Sequence, residues 1–305
     1  MDTSELLAQV RRIQIVANRQ VNDLLAGEYL SVFKGRGMEF DEVREYTPGD
    51  DVRSIDWNVT ARTGFPHVKR YAEERELTIL FVVDISRSGI FGSSNRAKLD
   101  LAIELTAVLM FSALKNNDKA GLVLFGNDIE AYFPPRKGKS NVLRLIRELI
   151  AAQPSTGGTN VASAMEFARR VSRRKAVIFL VSDLPEGDYE DELRIANRRH
   201  DVVAITVGDL RERSLLDDRG GPLQHMRFAR LIDAETGQVV MRDLSSLRIG
   251  AAYAEDAGRR QDLRRRLLDR SGVDELAVDT ARDYTTDLHR FFRMRERRIN
   301  QGRLR

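Results

Sequence analysis

The chain has 305 residues, 42% hydrophobic and 31% charged, which is enough apolar material for a sizeable core and argues against disorder. With 50 basic and 46 acidic residues the formal charge is only +4, too evenly mixed to imply nucleic acid, and the lack of cysteine excludes disulfides, thiol catalysis and zinc-thiolate sites. The N-terminus lacks the apolar stretch of a signal peptide and no apolar window is long enough to span a membrane, so a cytoplasmic protein is expected.

In chain order, residues 3–30 read as a helix, with Leu6, Val10, Ile13, Ile15, Val16, Val21 and Leu24 roughly at helical spacing. Gly35 and Gly37 break it, and residues 38–75 are dense in charge and turn signals, with Pro48-Gly49 as a turn and a short strand expected from Val68 to Tyr71. Then come four short apolar runs rich in β-branched residues: 77–83, 121–125, 177–181 and 202–207. Such runs fit strands buried on both faces. Helical patterns lie between them, at 97–114, 140–151, 161–171 and 189–198. The alternation predicts an α/β fold, a doubly wound and mostly parallel sheet with helices on both faces. Gly126-Asn127 predicts a hairpin that adds an antiparallel edge strand at 129–133. Residues 209–245 interrupt the alternation and read as an insertion carrying a hairpin around Thr236-Gly237. A long Arg-rich helix near 246–271, a strand at 273–278 and a helix at 285–297 close the chain. The expected division is an N-terminal segment, 1–74, and an α/β domain, 75–300.

Asp84-Ile-Ser86-Arg-Ser88 directly follows the first buried run, at the carboxyl end of a strand, where open α/β sheets bind ligands. Alternate residues of an extended segment point the same way, so the three oxygen side chains can converge. Thr156-Gly-Gly-Thr159 precedes the helix at 161, and Ser182-Asp183 ends the third run with a second carboxylate at the same sheet edge. Two carboxylates and three hydroxyls, with no His or Cys, select a hard cation: Mg2+ is expected, with Mn2+ or Ca2+ as alternatives. A metal so held retains enough positive charge to attract a carboxylate from a partner, which is binding without bond-making. The bland reading is that Asp84 caps a turn, Ser86 and Ser88 satisfy loop backbone, and Thr159-Asn160 is a helix N-cap.

This order of motifs resembles the metal-ion-dependent adhesion site (MIDAS) of von Willebrand factor A domains. The resemblance implies that Asp84, Ser86, Ser88 and Thr159 ligate the metal and that Asp183 acts through water. Residues 35–64, from Gly-Arg-Gly-Met through Tyr46-Thr-Pro-Gly-Asp-Asp and Ile55-Asp-Trp57 to Gly64, resemble the bacterial family known as domain of unknown function 58, as do 122–139 and 233–237. That resemblance implies a non-enzymatic adaptor for a MoxR-type AAA+ ATPase or its client.

Within this segment Arg44, Asp50, Arg53 and Asp56 are expected to form an ion-pair network around Pro48-Gly49, with Phe40 and Trp57 as packing anchors; it serves either structure or partner docking. The arginines at 259–266 are interleaved with Asp262 and read as a solvated helix face. The histidines show no metal spacing, and His200 reads as a satisfied turn residue. The rival function is a haloacid dehalogenase-like phosphatase using Asp84 as nucleophile. That chemistry wants Asp-x-Asp, and position 86 is Ser. No Walker A pattern is present, so the chain is not itself a P-loop ATPase.

Overall fold

The computed structural model describes residues 3–20, 32–33, 38–73, 76–93, 96–155, 157–214, 228–232, 239–243 and 247–301. At its centre is a six-stranded sheet made of β3 (Thr78–Asp84), β4 (Lys119–Phe125), β5 (Ile129–Arg136), β6 (Val177–Ser182), β7 (Asp201–Gly208) and β10 (Asp274–Asp279). Their order is β10-β7-β6-β3-β4-β5, parallel throughout except for β5, which pairs antiparallel with β4 at the edge. The expected doubly wound, mostly parallel sheet is therefore present.

The strands read as continuous apolar runs because each face is covered. Ile79, Phe81 and Val83 of β3 point into one core with α3 (Lys98–Lys115), α4 (Lys139–Ala151) and α9 (Tyr284–Asn300). Leu80 and Val82 point into the other, against α5 (Val161–Val171), α6 (Glu190–Arg199) and α8 (Leu247–Ser271). The interior of α3 is apolar almost all round because it packs deep against the sheet: Leu101, Leu105, Val108 and Leu109 have no exposed surface. The N-terminal helix α1 (Thr3–Gln20) shares this first core through Ile13 and Ala17, as does Phe33, whose ring meets Phe179 of β6 edge-on at 5.5 Å. Residues 21–30 of the expected first helix lie outside the described residues.

A strand that the sequence reading missed is β1 (Met38–Glu45), which pairs antiparallel with β2 (His67–Glu73) in a separate two-stranded sheet. Its apolar residues, Met38, Phe40 and Val43, do not alternate evenly, because a bulge between Phe40 and Glu42 shifts the phase by one residue. Between the strands sits α2 (Trp57–Thr63), capped by Asp56, whose carboxylate accepts from the backbone N–H of Asn58 and Val59. Gly64 closes that helix at φ 80°, a left-handed position suited to glycine. The insertion carries α7 (Leu210–Arg213) and an antiparallel pair, β8 (Phe228–Ile232) and β9 (Val239–Asp243). Its Gly220-Gly221 and Thr236-Gly237 turns lie outside the described residues.

His200 is not a satisfied turn residue. It is 3% exposed, and among the described residues neither ring nitrogen has a hydrogen-bond partner. Burial, helped by the Arg199 and Arg169 charges, pushes its pKa below the usual value. The unfolded chain therefore takes up a proton below about pH 6.5 that the folded protein refuses, and His200 costs stability progressively as pH falls through that range. In urea titrations His200→Leu should gain on the wild type between pH 7.5 and pH 5.5; a constant difference would show that the imidazole takes up its proton equally in the folded and unfolded states.

Candidate metal site at the sheet edge

Because β3 sits between β4 on one side and β6 on the other, the loops leaving β3 and β6 flank the point where the chain reverses direction across the sheet. Asp84, the last residue of β3, is buried there, as are Ser86 and Ser88. The loop is self-supporting: the Ser86 N–H donates to Asp84 Oδ1 at 2.8 Å, and the Ser86 and Ser88 hydroxyls lie 2.9 Å apart. From β6, the Ser182 hydroxyl donates to Asp84 Oδ2 at 2.6 Å and accepts from the Leu184 N–H at 3.0 Å. Leu184 holds φ +50°, a costly conformation for a branched residue, and this turn places Asp183 beside Asp84.

A small cavity opens among these residues, with Asp84, Ser88, Ser182, Asp183 and Lys98 as polar walls and Leu99, Val181 and Val207 among the apolar ones. Burial, together with the neighbouring Asp183 charge, raises the Asp84 pKa to about 6, against the pull of the Ser182 hydroxyl and the Ser86 N–H. Asp183 Oδ2 accepts from Lys98 Nζ at 2.7 Å, but Asp183 Oδ1 is buried and, among the described residues, has no hydrogen-bond partner. An orphaned carboxylate oxygen is expensive in a folded interior unless something positive meets it. With Asp84 and the paired hydroxyls, it makes an all-oxygen donor set that fits a hard divalent cation. Among the described residues no three His, Cys, Asp or Glu side chains converge on one point, so such an ion would have to lean on the serine hydroxyls.

Thr159 is brought to the same edge but does not line the cavity. Its loop is tied down by Ser155 N–H to the Ile85 carbonyl and Asn160 N–H to the Gly126 carbonyl, both at 2.8 Å. Gly126 permits this approach, since a Cβ there would lie 2.6 Å from Ser155. Asn160 accepts from the Ser163 N–H, so it is the N-cap of α5, as the bland reading had it. Thr156 lies outside the described residues.

Two residues here were invisible to motif reading. Lys98, the first residue of α3, is buried, and its ammonium bridges Asp183 and Glu212 of α7. Arg264 of α8 donates to the Asp183 carbonyl at 3.3 Å and lies 3.4 Å from Glu275, so this arginine is not part of a solvated face. Arg259 and Arg260 do fit that expectation, pairing along the helix with Asp256.

In the charged segment, the Arg44 guanidinium grips Asp50 with two hydrogen bonds, at 2.6 and 2.8 Å, and holds its carboxyl well below the usual range. Asp56 caps α2 and lies 3.5 Å from Lys69. Arg53 donates its backbone N–H to Asp51 and, among the described residues, forms no ion pair, so the four residues do not form one network. Trp57 is 68% exposed, as is Phe65, which corrects the expectation that Trp57 anchors the segment by packing. The Phe40 side chain lies outside the described residues.

Fold and site together define a doubly wound α/β domain with an oxygen-rich pocket, bordered by Lys98, at the carboxyl edge of its sheet. The chain belongs to the family described as protein of unknown function DUF58, whose pattern matches residues 42–263. It is 33% identical over 303 residues to the uncharacterized proteins Rv1480 of Mycobacterium tuberculosis and Mb1516 of Mycobacterium bovis, covering 97% of this chain and 92% of each relative. Among solved structures it is similar to the hypothetical protein BatB of Bacteroides thetaiotaomicron, at 17% identity and a TM-score of 0.47, over 72% of this chain and 99% of that one. It is also similar to a mussel byssus matrix protein described with a zinc-occupied MIDAS motif, at 18% identity and a TM-score of 0.36, over 44% of this chain and 38% of that one.

Proposed function

We propose that this chain is a non-enzymatic binding module of the von Willebrand factor A type. Its pocket holds one divalent cation, Mg2+ first, through Asp84, Ser88 and Asp183 of its walls, with Ser86 and Thr159 reaching in from the same sheet edge to complete the set, and that cation engages a carboxylate of a protein partner. The observation that carries the reading is that Asp183, whose buried Oδ1 has no hydrogen-bond partner among the described residues, lines the same cavity as Asp84. The bound ion would supply a positive centre. Asp84 and the two serines would fix its place, Ser182 would orient Asp84, and Leu99, Val181 and Val207 would exclude water from one side. A MoxR-type AAA+ ATPase, or its client, is the partner class that the resemblance suggests. The location proposed is cytoplasmic; among the described residues no helix is long and apolar enough to cross a membrane.

The test is thermal unfolding of wild type and Asp84→Ala in EDTA and with titrated Mg2+ and Mn2+. A ligand confined to the folded state stabilises by about 2.7 kcal/mol at a hundred times its dissociation constant. The wild type should shift and Asp84→Ala should not. Partner capture should then weaken in EDTA. The phosphatase reading makes the opposite prediction, namely turnover of an aryl phosphate that disappears in Asp84→Ala. Lys98 supplies a cation which that reading lacked in the sequence, but Ser86 still stands where its general acid belongs.

A further inference from the structure

Two carboxylates meet one ammonium beside the pocket, and a third stands across it. Lys98 Nζ lies 2.7 Å from Asp183 and 2.5 Å from Glu212, Asp183 adjoins Asp84 across the cavity, and only 3% of the Lys98 side chain is exposed. Nothing local explains that lysine. It occupies the first turn of α3, where the helix dipole disfavours a cation. Glu212 belongs to α7, held in turn by reciprocal bonds with Asp209 and by the Tyr253 hydroxyl on the Arg211 carbonyl. Asp209 is itself buried and satisfied by Ser93, Thr280 and Arg211, so the frame around Glu212 is rigid.

Resting on the metal reading above, we propose that the Lys98–Glu212 pair sets the charge of the cation site. The pair is neutral, so Asp84 and Asp183 leave two negative charges, the match for one divalent ion. Lys98 is also a positioning residue: it occupies Asp183 Oδ2, so that Oδ1 is the carboxylate oxygen that would remain to accept a cation. Removing Lys98 alone leaves three negative charges and favours a trivalent ion. Removing Glu212 alone leaves one and disfavours it. Removing both restores two.

The test measures the affinity of the full chain for Mn2+ and for Tb3+ by calorimetry, in wild type, Lys98→Met, Glu212→Gln and the double variant. The Tb3+-to-Mn2+ preference should rise about tenfold in Lys98→Met, fall about tenfold in Glu212→Gln, and return close to wild type in the double variant, because a nearby unit charge acts more strongly on the more highly charged ion. A purely structural role would weaken both ions together and give the two single variants the same sign. If Lys98→Met does not fold, Glu212→Gln and the double variant still decide. An unchanged preference, or a shift of the same sign in both single variants, overturns the charge-setting role while leaving the metal site intact. A wild type that binds neither ion overturns the metal reading and this proposal with it.

Discussion

Asp84→Asn should raise the stability of the metal-free protein and at the same time abolish its response to divalent cations. An ordinary Asp carboxyl ionises near about 3.9, and this one, buried beside Asp183, at about 6. The folded pKa is raised, so the ionised folded state is penalised. The penalty is absent below about pH 4, grows as pH rises through the folded pKa and is complete near pH 7, where it amounts to about 3 kcal/mol. Asparagine has nearly the same shape and can still accept from the Ser86 N–H through its carbonyl. Its amide must donate to Ser182 Oγ, where the carboxylate now accepts, and that rearrangement offsets part of the gain. The net expectation is about 1–2 kcal/mol in favour of Asn at pH 7, reversing to about 1–2 kcal/mol against it near pH 4, because the rearrangement cost persists when the ionisation penalty is gone. Chemical denaturation in EDTA at the two pH values measures it. A less stable Asn variant at pH 7 would mean that Asp84 is a structural acceptor rather than a ligand kept ready at a cost. The trade is typical of binding sites, where groups held for a ligand destabilise the empty protein.

Arg295→Met should be the most destabilising single change outside the apolar core, by about 3–5 kcal/mol. Its side chain is 2% exposed and lies 2.6 Å from Asp201, at the start of β7, and 3.1 Å from Asp274, at the start of β10. The guanidinium also lies over the rings of Phe33, at 4.9 Å, and Phe291. Removing it strips both carboxylates at the amino edge of the sheet of their shared partner, with Arg298 still on Asp274 but, among the described residues, no other cation on Asp201. Arg295→Lys should recover only part of the loss, because an ammonium cannot fork to two carboxylates while stacking on a ring. Urea midpoints of the two variants check both statements. Metal binding at the opposite edge should survive in whatever fraction folds, which separates this effect from that of Asp84.

The sheet was legible wherever burial on both faces wrote an unbroken apolar run. All four central strands, the edge hairpin and the intervening helices fall within a few residues of their expected places, since β-branched runs bounded by turn residues leave few alternatives. The strand β1 was not legible, because a bulge broke its alternation and charges filled its other positions. Nor was the exposure of Trp57, since an aromatic residue in a charged segment reads as an anchor until its surroundings are known.

For the candidate site the division is sharper. Asp84, Ser86 and Ser88 are neighbours along the chain, so strand periodicity alone directs them to one place, and the apolar runs before Asp84 and Asp183 put both carboxylates at carboxyl ends of strands. The sequence by itself thus determined the fold class and an oxygen-rich sheet edge. It did not determine which cations already stand there. Lys98, Glu212 and Arg264 carry no motif and are separated from Asp183 by 85, 29 and 81 positions. Only the packing of α3, α7 and α8 against the ends of β3, β6 and β7 brings them within hydrogen-bonding reach of one another. Charge acts through space and periodicity acts along the chain, so the site's electrostatics became visible only once the chain was folded.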